Sequence, residues 1–323
     1  MPSFPRHFYH PPVSAAPAQP LSLPAKLKLA AADIKLAHSV FALPFALLGA
    51  FLARPILGSW RVFAGQLAII TLCMILARTW AMLINRIADI RIDAANPRTQ
   101  RRILASGQLS RREGTLIAAA CALGFIALTA IFFILFHNPW PLILSIPVLI
   151  WIAFYSFTKR FTALCHIFLG GALAASPLAA AIAINPAAIA TTPALWFLAG
   201  MVLLWVAGFD VIYALQDIDY DRSVQLHSIP AALGWKNAIR VSRLLHLGAF
   251  TLLILAALPA TGHEPRFGPV FLTAVALVGL LLIAEHAILA KRGKAGLDMA
   301  FFTINGIVSC VLGAAGILDV TVV

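Results

Sequence analysis

Long apolar runs separated by short polar loops dominate this chain from residue 36 to its end. Each run is close to the roughly 20 residues that an α-helix needs to cross the hydrocarbon core of a bilayer. A helix also pairs its own backbone groups, as a segment in lipid requires. We therefore predict an all-α integral membrane protein with nine transmembrane helices, in a bundle with a central cavity open to the cytoplasmic side. The predicted spans are residues 36–53, 61–85, 114–136, 140–157, 163–184, 192–215, 237–258, 267–289 and 300–321.

The amino-terminal stretch does not follow this pattern. Its first 24 residues contain seven prolines and little hydrophobic periodicity. Such a segment cannot bury enough apolar surface to offset the entropy lost on folding. We predict a disordered tail over residues 1–30 and a single transmembrane domain over residues 31–323.

Composition supports a membrane protein and suggests its orientation. The chain is 61% hydrophobic and 11% charged, with a mean hydropathy of +0.93 and a net charge of +12. Twenty of its 24 lysines and arginines precede the first predicted span or follow an even-numbered one. The positive-inside rule then places the amino terminus in the cytoplasm and the chain, multi-pass, in the inner or plasma membrane. We expect no nucleic acid partner, because no basic stretch is interleaved with exposed aromatic residues.

Two polar windows end the second and the sixth predicted spans, 128 residues apart. In each window polar residues recur every four positions, which places them on one face of a helix. A small-residue turn ending in glycine, at Gly107 and Gly234, comes after each window, and the match suggests a duplicated four-helix unit. The polar positions are Asn85, Asp89 and Asp93 in the first window and Tyr213, Asp217 and Asp221 in the second.

Carboxylate and amide oxygens are hard ligands that suit Mg²⁺. Two acidic stripes that face each other would repel a phosphate unless cations bridge them, and basic loops adjoin both windows. Arginine gives phosphate bidentate contacts, whereas lysine acts as a point charge. The windows therefore predict a Mg²⁺-dependent diphosphate site at a membrane surface, with apolar helices sheltering a hydrocarbon chain. The basic residues nearest the windows are Arg98, Arg102, Lys159 and Arg160.

These motifs resemble those of the UbiA family of membrane prenyltransferases over roughly residues 30–320. The first window fits the family's Asn-x-x-x-Asp-x-x-x-Asp motif, and the second fits its Asp-x-x-x-Asp motif. Residues 98–107 resemble its Arg-Thr-x-x-Arg-Pro-Leu-x-x-Gly stretch, with Ile103 in place of the proline. Residues 155–160 resemble its Tyr-x-x-x-Lys-Arg loop.

The resemblance implies transfer of a polyprenyl group from polyprenyl diphosphate to an aromatic carboxylic acid at the bilayer. The acceptor would be a hydroxybenzoate-type ring, 4-hydroxybenzoate, in ubiquinone biosynthesis; the same chemistry on a dihydroxynaphthoate would serve menaquinone biosynthesis. Asp89, Asp217, Lys159 and Arg102 would be catalytic. Metal ligands would be Asn85, Asp89, Asp93, Asp217 and Asp221, and diphosphate ligands Lys159, Arg98 and Arg102.

Four further residues are expected to bind substrate. Arg78 lies seven residues before Asn85, on the same helix face but deeper, and would pair with the acceptor carboxylate or the diphosphate. Asp210 stands in the same relation to Asp217 and would orient the acceptor or pair with Arg78. Tyr155 and Tyr213 would close the cavity or contact the diphosphate.

One departure from the family pattern and two rival functions remain open. Arg86 occupies a position that is usually aspartate in the family, and it would add a phosphate contact. A secondary transporter also places ionisable residues in helices, but near the midplane, whereas these acids cluster at one end of their spans. A non-catalytic membrane scaffold would not need duplicated metal-ligand stripes.

Overall fold

The computed structural model describes residues 36–55, 57–258 and 267–322, together with Leu29 and Asp33. Within them the fold is a helical bundle, and a 3₁₀ turn at Leu36–Phe41 precedes its first helix. The helices are α1 (Leu43–Leu52), α2 (Trp60–Ala95), α3 (Arg111–Phe136), α4 (Trp140–Thr158), α5 (Cys165–Ile184), α6 (Ala194–Ala214), α7 (Ile218–Ser223), α8 (Ile229–Ala257), α9 (Pro269–Arg292) and α10 (Asn305–Val322). Single turns at Ala188–Thr191 and Leu215–Asp217, a 3₁₀ turn at Gly293–Gly296 and a π-helix at Met299–Ile304 complete the order.

Eight helical segments of the described chain are long and apolar enough to cross a membrane. They correspond to eight of the nine predicted spans. The exception is the first, because residues 39–52 form only a short apolar helix. Pro44 stands in the first turn of α1, and the α-helix has ten residues. That length is about 15 Å, half the hydrocarbon thickness. The predicted disordered tail lies outside the described residues apart from Leu29 and stays a prediction.

Helix α2 is longer than its apolar run. It continues from the predicted end at residue 85 to Ala95, so the whole first polar window is helical. Asn96 ends it with an extended conformation, φ −92° and ψ 119°. The cause is Pro97, because the residue before a proline is disfavoured in the helical region. The predicted stripe of polar side chains is therefore present in this window.

The second polar window has a different backbone. Helix α6 ends at Ala214, the 3₁₀ turn Leu215–Asp217 comes next, and α7 covers Ile218–Ser223. The expectation of one continuous helical stripe is wrong here, since a 3₁₀ turn has three residues per turn and rotates the residues after it. The predicted small-residue turns are confirmed by positive φ angles, 75° at Gly107 and 73° at Gly234, where a non-helical residue kinks α8 after its first turn.

Helix α6 forms the centre of the bundle, packed between α5 and α8. Small residues allow this close approach, as is common between helices in membranes. A Cβ atom on Gly170 would lie 2.2 Å from the carbonyl oxygen of Leu203. Trp205 is fully buried at the centre of α6, so this helix is a rigid support for the residues at its end.

A buried polar cluster joins α6 to the last helices. The Trp205 indole donates to Asn305 Oδ1 at 2.6 Å, and Asn305 Nδ2 donates to Glu285 Oε1 at 3.0 Å. The same amide donates to the carbonyl oxygens of Ala300 and Phe301. Asn305 therefore satisfies backbone acceptors that the π-helix leaves near its end.

Candidate active site

The first polar window is held by cations from two different loops. Asp89, only 1% exposed, accepts hydrogen bonds from Lys159 Nζ and from Arg160 Nη2, the latter at 2.7 Å. Both bases follow α4. Asp93 pairs with Arg102 Nη1 at 2.7 Å, and Arg102 belongs to the loop after α2. Buried carboxylates need such partners, because an unpaired charge there would be costly.

Asn85 and Arg86 lie beside these acids, and Arg86 is paired within the protein. Its Nε pairs with Asp33 Oδ2 at 3.0 Å, and its Nη1 donates to Asn85 Oδ1 at 3.2 Å. Asp33 also accepts from the backbone N–H of Ile103 at 3.1 Å. The phosphate contact expected of Arg86 stays a prediction. Arg86 connects α2 to Asp33 and to the loop that carries Arg102.

The second window is held by the loop of the first. Arg98, from the loop after α2, binds Asp217 through Nε at 2.9 Å and through Nη2 at 2.5 Å. Its Nη1 donates to the Tyr213 hydroxyl at 3.0 Å, and Asn96 Nδ2 lies 3.4 Å from the same carboxylate. Burial lowers the pKa of the Arg98 guanidinium, but the contacts with Asp217 and Tyr213 outweigh it and raise the pKa above its ordinary value. Arg98 therefore remains a cation.

Asp221 has no arginine or lysine among its hydrogen-bond partners in the described chain. Its Oδ2 accepts from Ser228 Oγ at 3.0 Å. Ser228 is the N-cap of α8 and also accepts from the backbone N–H of Ala231. Asp221 is thereby attached to the start of α8, while Asp217 is attached to the loop after α2.

The tertiary fold brings the two windows together. The Tyr220 hydroxyl donates to the Ile92 carbonyl at 2.6 Å, joining α7 directly to α2. The Tyr220 phenol also lies close enough to interact electrostatically with two carboxylates of the first window and two of the second. The residues expected to form one site are therefore neighbours. The four carboxylates around this phenol are Asp89, Asp93, Asp217 and Asp221.

The donor set is compatible with Mg²⁺, but not in its present pairing. Among the described residues no group of three or more His, Cys, Asp or Glu side chains is arranged to hold a metal. Three of the carboxylates are instead occupied by four cationic side chains. Carboxylate oxygens are hard ligands that bind Mg²⁺ together with substrate phosphates. A magnesium diphosphate fits if each carboxylate releases its lysine or arginine and binds Mg²⁺. The released lysine and arginine side chains would then bind the phosphate oxygens.

An apolar cavity of about 330 Å³ lies below the acids, between α2, α3, α4 and α5. Pockets that bind small molecules start near this size. Its lining is almost entirely aliphatic and aromatic, with Arg78 and Tyr155 among the few polar groups. Arg78 precedes Asn85 by seven residues, about 10 Å along α2. The cavity therefore begins about two helical turns below the carboxylates.

Asp210 pairs with a histidine that the sequence alone did not single out. Its Oδ2 lies 2.7 Å from His166 Nδ1, on α5. The alternative expectation, an ion pair between Asp210 and Arg78, is therefore not how the structure pairs this carboxylate. Asp210 and Arg78 each lie close enough to the Tyr155 phenol to interact with it electrostatically. The three side chains therefore lie near one another.

Several site residues were missed from the sequence. Two carried a usable signal: Ser228 precedes Ile229 and Pro230, a typical helix start, and Asn96 precedes the proline that ends α2. Tyr220 and His166 carried none, because only the packing of distant helices shows their partners. Arg160 was recognised as a neighbouring base but not as a partner of Asp89.

Comparison with known proteins identifies the class to which this fold and site belong. The profile of the UbiA prenyltransferase family matches residues 42–307. The chain belongs to the UbiA prenyltransferase family.

Particular relatives agree with this assignment. A 4-hydroxybenzoate octaprenyltransferase of Nitrosomonas europaea is 34% identical over 268 residues, 81% of this chain and 86% of the relative. One from Vibrio atlanticus is 30% identical over 74% of this chain and 79% of its own length. The apo structure of a UbiA homolog from Aeropyrum pernix superposes with a TM-score of 0.75 at 32% identity, covering 88% of this chain and 98% of that one. A UbiA homolog from Archaeoglobus fulgidus, solved with GPP and Mg²⁺, shares the fold with a TM-score of 0.61 at 20% identity, covering 91% of this chain and 99% of that one.

Proposed function

We propose that this protein is a Mg²⁺-dependent aromatic prenyltransferase of the membrane. It would transfer a polyprenyl group from polyprenyl diphosphate to 4-hydroxybenzoate in quinone biosynthesis. The observation that carries the proposal is the layering of the site: carboxylates paired with cationic side chains lie directly above an apolar cavity. An amphiphile with a diphosphate head and a hydrocarbon chain matches both layers. The acceptor is supported by the relatives named 4-hydroxybenzoate octaprenyltransferase.

The polar layer would bind the head group. Asn85, Asp89 and Asp93 would hold one Mg²⁺, and Asp217 and Asp221 a second. Bound Mg²⁺ would neutralise the diphosphate and so make it a better leaving group. For Asn85 this role requires its Oδ1 to give up the hydrogen bond from Arg86.

Lys159, Arg98 and Arg102 would stabilise the departing diphosphate. Each lies in the site as the partner of a carboxylate and would turn to the phosphate oxygens once Mg²⁺ takes that carboxylate. The bond between the allylic carbon and the diphosphate oxygen breaks, and a ring carbon of the acceptor forms a bond to that carbon. The same ring carbon then loses its proton. Apolar walls around the chain would keep water from the allylic cation.

The acceptor would lie between the two layers, near Arg78, Tyr155 and Asp210. Arg78 would bind its carboxylate in the bidentate geometry that guanidinium favours. Tyr155 lines the top of the cavity and would contact the ring, and Tyr213 would contact the diphosphate through the Arg98 that it already binds.

We infer the orientation from the loops. The basic residues of the site lie in the loops after α2 and α4, at the same end of the bundle as the acids. The positive-inside rule makes this end cytoplasmic, with the amino terminus on the same side of the inner or plasma membrane.

Membranes that contain the protein, labelled polyprenyl diphosphate and a panel of aromatic acids test the function. Product should form with 4-hydroxybenzoate, disappear with EDTA and return with Mg²⁺. Product with a dihydroxynaphthoate instead would move the enzyme to menaquinone biosynthesis. Absence of Mg²⁺-dependent product with every acceptor would disprove the proposal.

A further inference from the structure

Three consecutive residues at the start of α8 join separate parts of the site. The backbone N–H of His227 donates to the Lys159 carbonyl at 2.7 Å. Ser228 Oγ donates to Asp221, and the backbone N–H of Ile229 donates to His166 Nε2 at 3.3 Å. Residues 227–229, the α8 start segment, therefore contact the loop after α4, the second carboxylate window and α5.

The Ile229 contact determines the tautomer of His166. An N–H donor needs a lone pair on Nε2, so the ring proton must be on Nδ1. Nδ1–H then donates to Asp210 Oδ2 at 2.7 Å. The ring is 2% exposed and is held by a backbone N–H on one side and by the Asp210 carboxylate on the other, so its orientation is fixed.

Among the described residues, Asp210 is left with one oxygen for another donor. Its side chain is 22% exposed, in contrast to the buried His166. It also lies near Tyr155 and on the same side of the bundle as Arg78. An acceptor of the 4-hydroxybenzoate type has an anionic end and a hydroxyl end. An arginine such as Arg78 attracts the anionic end. A carboxylate such as Asp210 repels the anionic end and accepts a hydrogen bond from the hydroxyl end.

We propose that His166 is a positioning residue for the aromatic acceptor. It holds the Asp210 carboxylate so that the free oxygen accepts a hydrogen bond from the acceptor's phenolic hydroxyl, while Arg78 binds the carboxylate at the other end of the ring. This inference rests on the proposed function and adds the polarity with which the acceptor binds. His166 acts through Asp210 and does not touch the reacting atoms.

The test separates binding of the acceptor from binding of the donor. His166→Ala should raise the KM for 4-hydroxybenzoate about tenfold or more and leave the KM for prenyl diphosphate within about twofold, as expected for one lost hydrogen bond to a charged group. Benzoate, used as a competitive inhibitor, lacks the hydroxyl. Its inhibition constant should therefore be the same for His166→Ala and the wild type, although the KM for 4-hydroxybenzoate rises. His137→Ala, exposed at the far end of α3, is the matched control.

Conservative variants distinguish positioning from folding. His166→Asn keeps an amide donor near the Nδ1 position and should restore most of the acceptor affinity, whereas His166→Gln places its amide near the Nε2 position, away from Asp210, and should not. This pair decides the question if the alanine variant does not fold. The double variant H166A/D210A should be no weaker for the acceptor than D210A, since residues in one network are not additive.

Equal rises in both KM values, equal behaviour of Asn and Gln, or additive losses in the double variant would overturn the inference while the function stands. A wild-type protein that prenylates no aromatic acid would instead overturn the proposed function, and this inference with it.

Discussion

The two carboxylate windows have the same spacing but different structures. In the first, an uninterrupted α2 presents Asn85, Asp89 and Asp93 on one face. In the second, the 3₁₀ turn Leu215–Asp217 interrupts the helix between Tyr213 and Asp221. The first window is more deeply buried and is bound by three cations from two loops, whereas the second is bound by one arginine and one serine. The first is thus a rigid half of the site, and the second is the half that exchanges partners more readily.

The largest effect is expected from Asp89, in the rigid half. Asp89→Ala removes hydrogen bonds to two charged groups and leaves Lys159 and Arg160 as neighbouring cations without the carboxylate that neutralises both, so we expect destabilisation of about 2 kcal/mol as well as loss of activity. Thermal unfolding in detergent and prenyl transfer measure the two effects. Arg91→Ala, on the exposed face of the same helix, should change neither. Full stability of the Asp89 variant would remove the distinction between the halves.

Asp217 should affect activity without a comparable effect on stability. Its partner Arg98 is about one-third exposed and can return to water, so Asp217→Ala should cost at most about 1 kcal/mol of stability. Activity should fall by about 100-fold or more, because a ligand of the Mg²⁺ that would neutralise the leaving diphosphate is lost. Asp219→Ala is the control, since Asp219 lies two residues away and is exposed. Equal activities of the two variants would exclude Asp217 from the site.

The pair of Arg86 and Asp33 should stabilise the rigid half without taking part in chemistry. Either alanine variant should lose about 2 kcal/mol, because Asp33→Ala leaves the nearly buried Arg86 without its carboxylate and Arg86→Ala leaves Asp33 without its cation. The double variant should lose less than the sum, with a coupling energy of about 1 kcal/mol or more. Urea or thermal unfolding of the four proteins measures this coupling. Additive losses would show that the pair is not coupled.

The smallest effects are expected at the turns after the windows. Gly107→Ala and Gly234→Ala both place a side chain at positive φ, 75° and 73°. At Gly234 ψ is 172°, a backbone region essentially restricted to glycine, so alanine there should cost at least about 1 kcal/mol. An added Cβ meets nothing within 4 Å at Gly107 and only the Arg222 guanidinium, at 3.6 Å, at Gly234, so backbone strain and not a clash sets both losses. The loss in unfolding free energy at Gly234 should be at least as large as that at Gly107, and a smaller loss at Gly234 would contradict this.

Much of this architecture is determined by local sequence. Apolar length predicts eight of the spans, since each helix pairs its own backbone groups whatever its neighbours are. The four-residue spacing correctly predicts the stripe on α2, and the prolines and glycines mark the turns. The motifs also identify the family, because the chemistry requires carboxylates and bases in a set order along the chain.

Only the tertiary structure decided which charges pair. Arg98 binds Asp217 across 119 residues, Lys159 binds Asp89 across 70, and His166 binds Asp210 across 44. Nothing local distinguishes these partners from the other bases in the same loops. It also decided that Arg86 faces Asp33 and that the second window is broken by a 3₁₀ turn. Pairing depends on how distant helices pack, whereas helix formation depends on neighbouring residues.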